Sequence, residues 1–362
     1  MNEKLIGQVI KKTGLSSKVV ASIIALLDEG NTIPFIARYR KELTEGATDT
    51  QLRDFDEVYS YAKNLEERRQ DILRLISEKG MMTPELEKEI LACETLARLE
   101  DLYRPFKEKK NTKATIAIAK WLQPLADVLA LAQMNKEDFL AEAVKFINDT
   151  GDVKTSVKTA EEAIQWAQDI VAEKVSDHPE LRAFVKKNEE KNGVIMTKPT
   201  KTFEENWVYK VYKNYQKQIW QIPSYAYLAL CRAEKEKQLS LNFSMNEPAI
   251  EQQAQKIFVP TDAKSSSSYL IEAIADGLKR LLYPSLEREI RSVKKDEADL
   301  QAIKVFGDNL QQLLLGSPVK WMTVLWLDPW YRTGCKLAVV DPSGKFLAND
   351  VIYPTLEKNG FE

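Results

Sequence analysis

Three clusters of cations are the residues best suited to chemistry in this 362-residue chain, and that chemistry is the neutralisation of phosphates. Arg38, Arg40 and Lys41 close the stretch Asn31–Leu43, NTIPFIARYRKEL. Arg104, Lys107, Lys109, Lys110, Lys113 and Lys120 form a second island in which Glu108 is the one acid between Arg104 and Lys120. Lys210, Lys213 and Lys217 interleave with Trp207, Tyr209, Tyr212, Tyr215, Trp220, Tyr225 and Tyr227. Aromatic faces can stack on bases while neighbouring lysines hold phosphates. Each cluster also has a plain structural reading: a solvated helix end, a solvated loop, and an aromatic core with basic edges. Other chemistries are poorly supplied. His178 is the one histidine, which excludes a Ser–His–Asp triad and a multi-histidine metal site. Cys93, Cys231 and Cys335 lie far apart, fit no zinc spacing and read as reduced thiols. No cofactor and no metal are implied.

The elements that must position these clusters are mostly helices. Glu3–Lys12 ends at Gly14, and a second helix from Ser16 or Ser17 ends at Gly30. Thr32 can cap a third, short helix, with Pro34 in its first turn, where a missing N–H costs nothing. Cations at its end complement the helix dipole. Three short helices with tight turns resemble a helix-turn-helix arrangement. A long helix then runs from Thr48 or Asp49 to Lys79, roughly 45 Å at 1.5 Å per residue, and serves as a strut between modules. The second cationic island is a loop entering a helix over Thr115–Leu122, a plausible phosphate contact. Helices continue over Asn135–Ile147, Thr159–Val175 and Asp177–Lys191, the last capped by Asp177. The aromatic–basic segment carries several residues at helical spacing. Leu239–Phe243 alternates like a strand, and helices over Tyr269–Leu282 and Leu286–Leu315 follow. After Pro318 the pattern changes to strands over Thr323–Leu327, Lys336–Val340 and Phe346–Tyr353, with a turn at Asp341–Gly344.

Composition bounds the class. Hydrophobic residues make up 44% and charged residues 29%, as in a soluble globular protein of two or three domains. Cations number 52 and anions 54, so any nucleic-acid site must be a local patch. The N-terminus has no apolar signal core and no apolar run reaches membrane-spanning length, which points to the cytoplasm and away from a membrane partner.

In chain order, the segments TIPFIARYRKE (Thr32–Glu42), LEERR (Leu65–Arg69), LEDLYRPFK (Leu99–Lys107), IPS with LAL (Ile222–Ser224, Leu228–Leu230) and RLLYPSLEREIR (Arg280–Arg291) resemble the N-terminal half of Tex-family transcription accessory proteins. The likeness continues through Asp328-Pro329 and RTGCKLAVVD (Arg332–Asp341). It implies a mainly α fold: a Tex-like helical region over 1–195 with helix-turn-helix character, a central helical region over 196–318, and an incomplete RNase H-like, YqgF-type domain over 319–362. That last part would be a truncated three-stranded meander with uncovered faces, the least stable part of the chain. The implied function is non-enzymatic, backbone-directed binding of RNA or DNA, in a weakened form, with the transcription or translation machinery as partner. The alternatives are a helical scaffold without nucleic-acid binding and, less favoured, an RNase H-like nuclease. For the nuclease, Asp328 aligns with the first carboxylate of the family's active site, but two-metal chemistry needs further carboxylates from later elements. The sequence departs from the family pattern at Trp326, Trp330, Tyr225 and Ala226, the last two standing where His and Arg are usual.

Overall fold

A computed structural model describes residues 3–148, 156–204, 208–317, 321–330 and 334–354. Helices account for 64% of the described residues, which makes the fold mainly α. It divides into two compact units, Met1–Lys295 and Asp296–Glu362.

The first unit begins with α1 (Glu3–Thr13), α2 (Ser17–Asp28) and α3 (Ile33–Tyr39), which pack on the first half of α4 (Asp49–Glu78). Val20, Ile23 and Ile24 of α2, Ile36 of α3, and Leu52 and Phe55 of α4 are fully buried in one core. The second half of α4 serves a separate core: Leu65, Ile72 and Ile76 meet Ile90 of α5 (Pro84–Ala92) and Leu99 and Leu102 of α6 (Leu96–Tyr103). A single helix can serve two cores because its apolar stripe continues through both halves. Thr48 and Gln51 form a reciprocal capping box at its start, and Gly80, at φ 66°, takes the left-handed conformation that ends it.

Next come α7 (Lys113–Ala119), α8 (Gln123–Leu131) and α9 (Lys136–Val144), which pack around α10 (Ala160–Asp177). α10 and α11 (Pro179–Asn192) end two residues and one residue beyond the expected Val175 and Lys191. His178, not Asp177, is the cap of α11, its Nδ1 accepting from the Leu181 N–H at 3.4 Å. Asp177 belongs to α10 and is committed to ion pairs instead.

A small antiparallel sheet follows, in the order β2-β1-β3, from β1 (Val194–Pro199), β2 (Gln216–Gln218) and β3 (Leu239–Ser244). Only β3 was legible as a strand. The helical spacing read into Lys201–Tyr227 does not produce a helix: short 3-10 turns at Lys210–Tyr212 and Ile219–Gln221 flank β2, and α12 (Ser224–Lys235) starts only after Pro223. Pairing of Gln216–Gln218 with β1 supplies the backbone partners that a helix would otherwise provide. Trp207 lies outside the described residues.

The unit closes with α13 (Glu247–Phe258), α14 (Ser267–Asp276), a π-helical stretch Gly277–Leu282 and the start of the long α15 (Tyr283–Leu314), whose residues from Asp296 onward belong to the second unit. Gly277 sits against α10 so closely that a Cβ there would lie 2.6 Å from the Ala172 carbonyl oxygen. In the second unit, β4 (Val324–Asp328), β5 (Cys335–Val340) and β6 (Phe346–Ile352) form a meander in sequential order. Leu325, Trp326 and Leu327 are exposed, as is every residue of β6. Among the described residues no single helix is long and apolar enough to cross a membrane.

Candidate nucleic-acid interface

The end of α3 is set by its anchored apolar side. Ile36 and Ala37 are buried, Pro34 occupies the first turn, and Thr32 caps through its backbone conformation without a side-chain hydrogen bond. Burial of these residues turns Arg38, Tyr39 and Lys41 outward, and Tyr39 is 60% exposed. Arg38 and Lys41 have no ion-pair partner among the described residues. Arg40 behaves differently: its guanidinium lies over the Phe35 ring at 5.2 Å and donates to the Tyr39 carbonyl at 3.1 Å. The Phe35 ring in turn leans on Tyr39 at 5.1 Å. Arg40 therefore stiffens the helix end, while Arg38 and Lys41 carry its free charge.

The second island splits in the same way. Arg104 donates to Asp177 and to the Ser285 hydroxyl, both at 3.1 Å. Lys109 pairs with Asp177 and lies 3.6 Å from Glu173. Lys113 lies 3.9 Å from Asp169, a carboxylate shared with Arg280. Burial pushes the Asp169 carboxyl above its usual range, against the opposing pull of Lys113 and Arg280. Lys120 is buried, donating to the Ser156 carbonyl at 2.6 Å beneath the Trp166 ring. Only Lys107 and Lys110 remain exposed and unpaired among the described residues of this island. In the third cluster Lys210 is exposed, and Lys213 lies 5.6 Å from the Phe203 ring centroid.

Arg104, Lys107 and Lys109 come together at a cleft of about 500 Å³ with Asp101, Arg182 and Glu289. Here LEDLYRPFK meets YPSLEREI. Arg182 is only 1% exposed and donates to Asp101 at 2.7 Å and Glu289 at 2.8 Å. Lys186 reaches the same two carboxylates at 2.6 and 2.5 Å. The two cations and two anions neutralise each other, so this part of the cleft is an ionic clamp joining α6, α11 and α15. Sequence reasoning missed Arg182 and Lys186. The available signal was Asp101, an acid set in an apolar run between Leu99 and Leu102–Tyr103.

Asp328 closes β4 opposite Lys336, and Lys336 faces Val351. Asp350 is opposite Leu337, one residue on, so alternation of side chains puts Asp328 and Asp350 on opposite faces of the sheet. Asp341 is held in the turn, accepting from the Ser343 and Lys345 N–H groups at 2.8 and 2.9 Å. Those hydrogen bonds lower its pKa, the Ser343 hydroxyl contributing most. Among the described residues no three metal-ligating side chains gather.

Three family models match the chain in order: the Tex-like protein N-terminal domain over residues 3–77, the Tex central region-like model over 135–306, and the Tex protein YqgF-like domain over 322–362. An uncharacterized protein, YdcI, of Bacillus subtilis is 42% identical over 351 residues, covering 96% of this chain and 48% of its own. The transcriptional accessory protein Tex of Neisseria gonorrhoeae is 36% identical over 346 residues, 94% of this chain and 45% of its own. The human S1 RNA-binding domain-containing protein 1 is 28% identical over 369 residues, 98% and 36% of the two chains. The chain thus spans about half the length of the bacterial relatives it matches. With its three regions matched in their family order, the chain belongs to the Tex family.

Proposed function

We propose that this chain is a non-enzymatic, nucleic-acid-binding transcription accessory protein that contacts the phosphate backbone of RNA or DNA weakly and without sequence preference. The observation that carries the reading is the pair Arg38 and Lys41, exposed and unpaired on a helix end fixed by buried Ile36 and Ala37. Lys107, Lys110 and Lys210 supply further free charge, whereas Arg104, Lys109 and Lys113 hold the fold together. The names of the relatives, a transcriptional accessory protein and an S1 RNA-binding domain-containing protein, support the same assignment. The placement of Asp328 and Asp350 on opposite sheet faces argues against a two-metal nuclease. We place its action in the cytoplasm beside the transcription or translation machinery.

Binding to a labelled duplex or single strand should weaken steeply with salt. The double substitution Arg38→Ala, Lys41→Ala should reduce the slope of log K against log[salt] by about 2, since each phosphate contact contributes roughly 0.9. An unchanged slope refutes the interface, and association with a partner protein without nucleic-acid affinity would favour the scaffold alternative. Metal-dependent cleavage of RNA that is lost in Asp328→Ala would overturn the non-enzymatic assignment.

A further inference from the structure

We infer that two copies of this chain join edge to edge through β6, as an antiparallel pair of identical strands with its two-fold axis at Asn349. The product is one continuous sheet of six strands, three from each copy. The inference concerns a protein partner and stands apart from the nucleic-acid reading above.

In the order β4-β5-β6, β6 pairs with β5 on one side, and no described strand lies on its other side. Every residue of β6 is exposed. Its outward backbone groups can be placed. The Val351 N–H stays out of the β5 ladder and donates instead to Asp350 Oδ1 at 2.8 Å. Alternation along an antiparallel strand then turns the N–H and C=O of Asn349 outward as well. The usual devices that keep an edge strand from pairing are sparse here. FLANDVI holds neither Lys nor Pro, and Asp350 is its one charge. The register shift opposite Val339 and Val340 lies at the Phe346 end of the strand.

The strand that fits this edge is β6 itself, reversed. Its apolar residues fall symmetrically about Asn349: Leu347 and Val351 two steps out, Phe346 and Ile352 three. An antiparallel pair centred there sets Leu347 against Val351 of the other copy and Phe346 against Ile352. Asp350 meets Ala348, so no like charges face each other. The two Asn349 residues exchange a pair of backbone hydrogen bonds. Neighbouring registers are worse. Centring on Asp350 opposes two carboxylates, and centring on Ala348 sets Asp350 against Phe346 and Val351 against Lys345. On pairing, the Val351 N–H passes from Asp350 to a carbonyl of the other copy, and the freed carboxylate turns to water. The contact is the same patch on both copies, so it closes at two. One strand edge is smaller than a standard interface, which makes the self-association weak.

The test is sedimentation equilibrium of the full chain between about 5 and about 500 µM, a range suited to a small interface. The average mass should rise from 41.4 kDa toward twice that value. Asn349→Pro removes an outward N–H while leaving the β5 ladder whole, and should hold the mass at 41.4 kDa throughout. Leu347→Lys with Val351→Lys sets like charges opposite each other and should do the same. Leu347→Lys with Val351→Glu sets opposite charges against each other and should keep the self-association. These two double variants differ at one residue, so a contrast between them does not come from loss of the sheet. A parent chain that stays at 41.4 kDa overturns the dimer. Self-association that survives Asn349→Pro and the double lysine variant places the contact elsewhere and overturns the β6 edge. Equal behaviour of the two double variants overturns the axis at Asn349. Growth beyond two copies overturns the closed pair.

Discussion

Arg182→Met tests whether the clamp under the cleft is structural. Arg182 is 1% exposed and its substitution removes donors from Asp101, Glu289 and the Ser285 hydroxyl, at 2.7, 2.8 and 3.5 Å. Methionine fills a similar volume, so cavity formation is a minor contribution. The dominant effect is electrostatic: Asp101, 5% exposed, keeps only Lys186 at 2.6 Å, and Glu289 keeps the same lysine at 2.5 Å. Two carboxylates then share one ammonium. Breaking a buried pair by removing one partner costs about 3–5 kcal/mol. Since Lys186 retains half of the compensation, the low end applies, about 3 kcal/mol, or more than a hundredfold in the unfolding constant. Urea unfolding followed by far-UV circular dichroism reads this directly, and at a slope of about 3 kcal/mol/M the midpoint falls by about 1 M. The double substitution Arg182→Met, Asp101→Leu should recover part of the loss, because it withdraws the exposed need of the carboxylate as well. A midpoint lowered by less than about 0.3 M, at the same slope of about 3 kcal/mol/M, would refute the clamp.

Gly277→Ala should destabilise by about 1–3 kcal/mol despite the helix-favouring change, because the new Cβ meets the Ala172 carbonyl oxygen at 2.6 Å and its Cα at 3.0 Å; a raised melting temperature would contradict this. His178 caps α11 through Nδ1, an acceptor only when that nitrogen is unprotonated, and burial lowers its pKa from the usual value of about 6.5. The folded chain thus binds fewer protons than the unfolded one, so this contribution is fully present above about pH 6.5 and is lost as pH falls through the lowered value. His178→Asn, which keeps a capping side chain, should flatten that part of the stability–pH profile, and an unaltered profile would remove His178 as its source. Amides of β4–β6 should exchange with deuterium faster than those of α4 and α10, since β6 is exposed along its whole length; strong protection there would show that the strands are covered.

Helix patterning, capping and family motifs made much of this protein legible from its residues alone. The long α4 was readable because its apolar period is unbroken between Thr48 and Gly80, and both ends carry local chemistry, a capping box and a left-handed glycine. The terminal meander was readable from three β-branched runs and the Asp341–Gly344 turn. The helix-end cations Arg38 and Lys41 were identifiable for the same local reason, since their exposure follows from the burial of Ile36 and Ala37. Partner choice was not local. Arg104 and Arg38 are alike in sequence, yet Asp177 arrives from 73 positions away to pair with one and no described acid reaches the other. Strand β1 is a strand because β2 and β3 flank it, and the aromatic segment gave up its helical spacing to that pairing. The sequence by itself therefore determined the long α4, the terminal meander and which residues are cationic. The tertiary structure decided which cations are neutralised, because Coulomb attraction falls with distance and distance across the fold is set by packing, not by chain position.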